Sequence, residues 1–133
     1  MFRILSLLAI IASIALAATQ INAEAKAPGW QKYSASSFKA AQASGKTIVV
    51  DVYASWCPTC RAQAPILDEI RTEQASADTI FVKVNFDKDK SFLRTHRVPR
   101  QSTVLVFKGT KEVARSIAQT QRTALRSTIL GAI

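Results

Sequence analysis

A chain of 133 residues, 48% hydrophobic and 20% charged, has room for one packed domain and not two. Its two cysteines are too few and too close together for a disulfide-stapled extracellular scaffold, so they read better as a reactive pair. Eighteen Lys and Arg against nine Asp and Glu leave a net charge of +9, which suits acidic partners, an anionic surface, or simply a well-solvated exterior. No basic-aromatic interleaving supports nucleic acid.

The first residues do not belong to that domain. Arg3 precedes an apolar run from Ile4 to Ala18, and the small-residue stretch Ala23-Glu24-Ala25 follows. This is the pattern of a secretory signal peptide over residues 1–25, with cleavage after Ala23 or Ala25. An uncleaved anchor is the other reading, since residues 4–21 are just long enough to tether the chain in a membrane. Either one predicts an exported, periplasmic protein, free or held at the inner membrane.

The domain occupies residues 26–133. After the lead-in Ala27-Pro28-Gly29, Trp30 to Tyr33 reads as a short edge strand. Ser36 or Ser37 is placed to cap a helix over Phe38 to Ser44 that Gly45 ends. Thr47 to Tyr53 is a β-branched run without polar alternation, the mark of a central strand buried on both faces. A turn at Ala54-Ser55-Trp56 leads into a helix opening at Cys57 and Pro58, with Pro65 expected to kink it. Ile80 to Phe86 reads as a strand, Ser91 to Arg94 as a helical turn, and Thr103 to Phe107 as a further strand. Four residues around Gly109 join that strand to Glu112 to Ile117 as an antiparallel hairpin. Thr120 is placed to cap a closing helix that buries Leu125 and Ile129. The order implies an α/β fold, a central mixed β-sheet with helices on both faces.

The chemistry concentrates at Trp56-Cys57-Pro58-Thr59-Cys60. A cysteine at a helix start meets unpaired backbone N–H groups and the positive end of the helix, which favour its thiolate. The thiolate is the attacking form in disulfide exchange. This makes Cys57 the nucleophile and Cys60, expected to be the more buried, the resolving thiol. Structural zinc fails on ligand count, with His96 the only spare soft donor. Haem attachment fails because Arg61, not histidine, follows Cys60. A purely structural disulfide stands as the alternative. Arg94, Arg97, Arg100, Lys108, Lys111 and Arg115 are candidates for a basic rim.

From Trp30 to Ile133 the sequence resembles the thioredoxin family. The resemblance runs through Val49 to Arg61 (the active-site strand and loop), Pro65 to Ile70 (the kinked helix) and Val106-Phe107-Lys108-Gly109 (the hairpin). It implies a thioredoxin fold and exchange with protein disulfides and dithiols; separately, a monomer without cofactor or metal is expected. By position it adds Asp51 as a buried acid that takes the proton of the resolving thiol, Lys83 as its neighbour on the adjacent strand, and Trp56 as a flank of the site. Pro58-Thr59 lacks the histidine of the family's strong oxidants. The dipeptide also appears in its cytochrome-c-maturation reductases, so a reductant fed by an upstream membrane electron donor is expected. The alternative is a non-catalytic binding module with a shut disulfide and a basic partner surface. One departure stands out: Ser102, after Gln101, occupies the family's usual cis-proline position, while Val98-Pro99 lies three residues early. The Gln101–Ser102 bond is then either trans or strained cis, and Ser102 either donates to the Cys57 thiolate or satisfies loop backbone.

Overall fold

The structure is a computed structural model that describes residues 26–133; the leader or anchor expected over residues 1–25 lies outside the described residues. Strand β2 (Thr47–Tyr53) is the centre of a five-stranded sheet, as its unbroken apolar run requires. It pairs in parallel with β3 (Ile80–Asn85), which pairs in parallel with the three-residue edge strand β1 (Trp30–Lys32). On its other side β2 pairs antiparallel with β4 (Thr103–Lys108), and β4 with β5 (Lys111–Ile117). The sheet is therefore mixed, in the order β1-β3-β2-β4-β5.

Because side chains alternate along a strand, β2 feeds two cores. Ile48, Val50 and Val52 pack with Phe38 of α1 (Ala35–Ala43), Phe92 and Leu93 of α3 (Lys90–Thr95), Leu105 and Phe107. Val49, on the opposite face, packs with Leu67 and Ile70 of α2 (Pro58–Thr72) and with Leu125 and Ile129 of α4 (Arg122–Leu130). Helices cover both faces, as the α/β reading expects.

Two local expectations need correction, and one element was not expected. Helix α1 begins a turn earlier than Ser36 or Ser37 would set it: Ser34 is the N-cap, and its hydroxyl accepts the Ser37 N–H at 3.2 Å. The run of serines hid which one leaves the helical conformation. Helix α4 is preceded by Gln121 rather than capped by Thr120; the Gln119 side-chain carbonyl accepts the Gln121 N–H at 2.8 Å. A 3-10 turn at Gln74–Ser76 carries no periodic signal and follows α2 directly. Pro65 lies inside α2, which continues to Thr72.

Candidate active site

Strand β2 ends against the N-terminus of α2, and this junction builds the site. Cys57 is the N-cap of α2 in extended conformation, Pro58 and Thr59 form its first turn, and Cys60 follows. Proline costs nothing there, since its missing N–H would be unpaired anyway. Cys57 and Cys60 are joined as a disulfide, their Cα atoms 5.3 Å apart. The Cys60 N–H donates to Cys57 Sγ at 3.1 Å, so the first sulfur takes the place a capping oxygen has in other helices. One expectation reverses. Cys57 has no exposed surface and Cys60 keeps 9%; both belong to one small buried cluster with Ala54, against which Tyr53 and Phe86 pack.

Ser102 faces both sulfurs. Its Oγ lies 3.1 Å from Cys57 Sγ and 3.2 Å from Cys60 Sγ, and the residue is fully buried. The Gln101–Ser102 bond is trans, and Ser102 adopts φ +65°. A left-handed conformation costs a non-glycine residue about 1–2 kcal/mol, so the surroundings must hold it. They do so through its backbone: Ser102 N–H donates to Val52 O at 2.8 Å, and Ser102 O accepts Ala118 N–H at 2.9 Å. Ala118 is itself left-handed, at φ +54°. Gln63, on the buried face of α2 one turn past Cys60, donates through Nε2 to Ser102 O at 3.2 Å and to Gln119 O at 2.9 Å.

Asp51 lies on β2, on the face covered by α2 and α4, and is 3% exposed. Its Oδ2 accepts from Lys83 Nζ at 2.7 Å, and its Oδ1 has no partner among the described residues. Burial pushes its carboxyl above the usual carboxylate range, and the adjacent ammonium only partly opposes this. Lys83 is held between the rings of Trp30 and Tyr53, 4.6 and 5.2 Å from their centroids. No hydrogen bond joins Asp51 to either sulfur among the described residues, so a proton moving between them needs an intervening carrier.

The remaining residues expected at the site are more peripheral. Trp56 is 54% exposed, and its Nε1 donates to Asp87 Oδ2 at 2.9 Å. Gln101 offers its carbonyl to Arg100 Nε at 3.2 Å and has no hydrogen bond to the cysteines. The basic stretch forms no single rim. Lys108 and Lys111 pair with each other at the turn of the hairpin, five residues along β4 from Thr103 and so about 17 Å from the site end. Arg115 has a framework role, donating to the backbone carbonyls of His96 and Arg97 and to Glu112.

Three comparisons agree with this geometry. The thioredoxin family model matches residues 30–130. Thioredoxin-1 of Saccharomyces cerevisiae is 36% identical over 84 residues, covering 63% of this chain and 80% of its own. The Mycobacterium tuberculosis thioredoxin is 34% identical over 82 residues, 62% of this chain and 70% of its own. Among solved structures, Trxlp of Edwardsiella tarda superposes with a TM-score of 0.72 at 41% identity, over 74% of this chain and 96% of that one.

Proposed function

Since the chain belongs to the thioredoxin family, we propose that it is an exported thiol–disulfide oxidoreductase that reduces protein disulfides through Cys57 and Cys60. The observation that carries this reading is the capping of α2 by Cys57 Sγ. The Cys60 N–H and the helix dipole both favour negative charge on that sulfur, and so a reactive thiolate. The Cys57 thiolate attacks one sulfur of a client disulfide and releases the other as a thiolate. Cys60 then gives its proton to the Asp51 carboxylate through a carrier and attacks Cys57 Sγ. The second client sulfur leaves and is protonated, the client is reduced and the Cys57–Cys60 disulfide forms. The raised proton affinity of Asp51 suits it to accept this proton.

The reductant direction draws on Pro58-Thr59, which places no cationic group beside the thiolate. It calls for a membrane electron donor that re-reduces the pair, and the apolar segment at residues 4–21 supports a periplasmic setting for a monomer that is free or tethered. A second reading, a binding module whose disulfide stays shut, draws on the full enclosure of Cys57.

Equilibration with glutathione separates the two. A reduction potential near or below about −250 mV is expected of a reductant, and one above about −150 mV would reverse the direction. The Cys57→Ser variant should lose all exchange, and Cys60→Ser should accumulate a mixed disulfide with its client. A pair that never exchanges leaves the binding module.

A further inference from the structure

Gln63 has no part in the scheme above, yet it is the most unusual side chain near it. It is fully buried on a helix face that otherwise presents Cys60, Leu67 and Ile70. Its Oε1 has no partner among the described residues, a poor arrangement for a residue that only fills space. Both donors of its amide are used on backbone carbonyls from two separate corners, Ser102 O and Gln119 O. Those corners are the left-handed positions at the end of the hairpin: Ser102, and Ala118 beside Gln119. One amide on the active-site helix thus stitches both corners to the segment that carries the cysteines.

The consequence falls on the Ser102 hydroxyl. It is within hydrogen-bond reach of both sulfurs, at 3.1 and 3.2 Å, and it has one proton to donate. Disulfide sulfurs carry no proton, so in this state the hydroxyl is the donor. A hydroxyl rotates about its C–O bond at little cost, whereas the anchored backbone and full burial of the residue keep the oxygen between the sulfurs.

We propose that Gln63 is a positioning residue that holds Ser102 between the two sulfurs, so that one hydroxyl donates in turn to whichever carries the negative charge. In the dithiol form the O–H donates to the Cys57 thiolate. Once Cys57 is bonded to the client sulfur its charge is gone, and the O–H turns to Cys60. It stabilises the Cys60 thiolate as that proton departs to Asp51 and finally to the leaving client thiolate. Ser102 ends with the proton it began with. This deepens the oxidoreductase reading and rests on it for the order of steps.

The test is a stopped-flow reaction of the reduced protein with an aromatic disulfide that releases a coloured thiolate twice. The first release reports attack by Cys57 and the second reports resolution by Cys60. Ser102→Gly keeps a backbone that suits positive φ and removes the hydroxyl. It is expected to slow both phases about ten-fold at neutral pH and raise the Cys57 pKa by about one unit, as loss of a hydrogen bond to a charged sulfur should. Gln63→Met is expected to slow both phases in the wild-type background and to have less than about a two-fold effect in the Ser102→Gly background. Equal slowing in both backgrounds, or lost thermal stability with both phases intact, overturns the positioning role. If Gln63→Met does not fold, Ser102→Gly decides alone, and unchanged phases refute the shared hydroxyl. A wild-type protein that shows both phases but never reduces a protein disulfide sinks the functional reading and leaves this inference standing.

Discussion

Replacing Asp51 by asparagine should make the protein more stable and slower. The carboxylate is 3% exposed, with one oxygen on Lys83 Nζ at 2.7 Å and the other unpartnered. Asparagine keeps a carbonyl for Lys83 and exchanges a buried charge with one unpartnered oxygen for a neutral amide, a gain of about 1–2 kcal/mol. Losing the ion pair offsets little of this, because the Lys83 side chain is 28% exposed and keeps its contacts with two rings. For a domain of this size the melting temperature should rise by roughly 4–8 °C at neutral pH. The sign with pH follows from linkage. The folded-state pKa of Asp51 is raised, so the native state holds this proton longer than the unfolded chain does. The contribution of Asp51 to stability therefore falls as pH rises from about 3.9 through the folded value, and the advantage of asparagine grows over that window. Below about pH 3 the two proteins should match, since the Asp51 side chain is then neutral in both folded and unfolded states. Denaturant unfolding across this range checks the stability arm, and the second phase of the coloured-thiolate reaction, expected to slow about 10²-fold, checks the chemical arm. A variant that is less stable than wild type at neutral pH, with no trend in pH, would mean that Lys83 fully satisfies the carboxylate and the argument is wrong.

Arg115→Ala should cost about 1–3 kcal/mol in denaturant unfolding, because it strips the donor from the carbonyls of His96 and Arg97. Lysine should not rescue it, lacking the fork that reaches two carbonyls and Glu112 together. His96 stacks among Phe38, Phe92 and Phe107, and burial lowers its pKa, with Glu112 opposing and Arg115 reinforcing the shift. The unfolded chain thus takes up this proton first, and stability should fall as pH drops below about 6.5, a slope that His96→Leu should remove from thermal melts. Phe107→Ala should lose about 3–5 kcal/mol on unfolding, since the ring is 2% exposed between β2 and α1.

Much of the architecture was legible because it rests on local rules. The β-branched run at Thr47 to Tyr53 and the short link at Gly109 fix the central strand and the hairpin, and Pro58 beside Cys57 fixes the helix start. Ser102 was legible too, as the residue standing at a position the family gives to proline. Gln63 was not, because a polar residue in mid-helix looks like surface until its acceptors, 39 and 56 residues away, are known. The same holds for Asp87, which holds Trp56 from 31 residues further along. Cysteine burial does not follow helix position, because Cys57 is enclosed by residues outside α2, among them Ala54, Phe86 and Ser102. The basic residues lie close in sequence, but a strand of six carries its two ends far apart.

The contacts around the two sulfurs span 39 to 56 residues of chain, and the last of them needs Gln119, beyond the final strand. Contacts of such long range form late, because the entropy of closing the intervening loops must be overcome first. Until the hairpin docks, Cys57 lacks its hydroxyl neighbour, and only the local cap at the start of α2 favours its thiolate. An incompletely folded chain therefore lacks part of what favours the thiolate. The proposed exchange activity is thus complete only in the folded domain, once the distant hairpin has brought its hydroxyl to the two sulfurs.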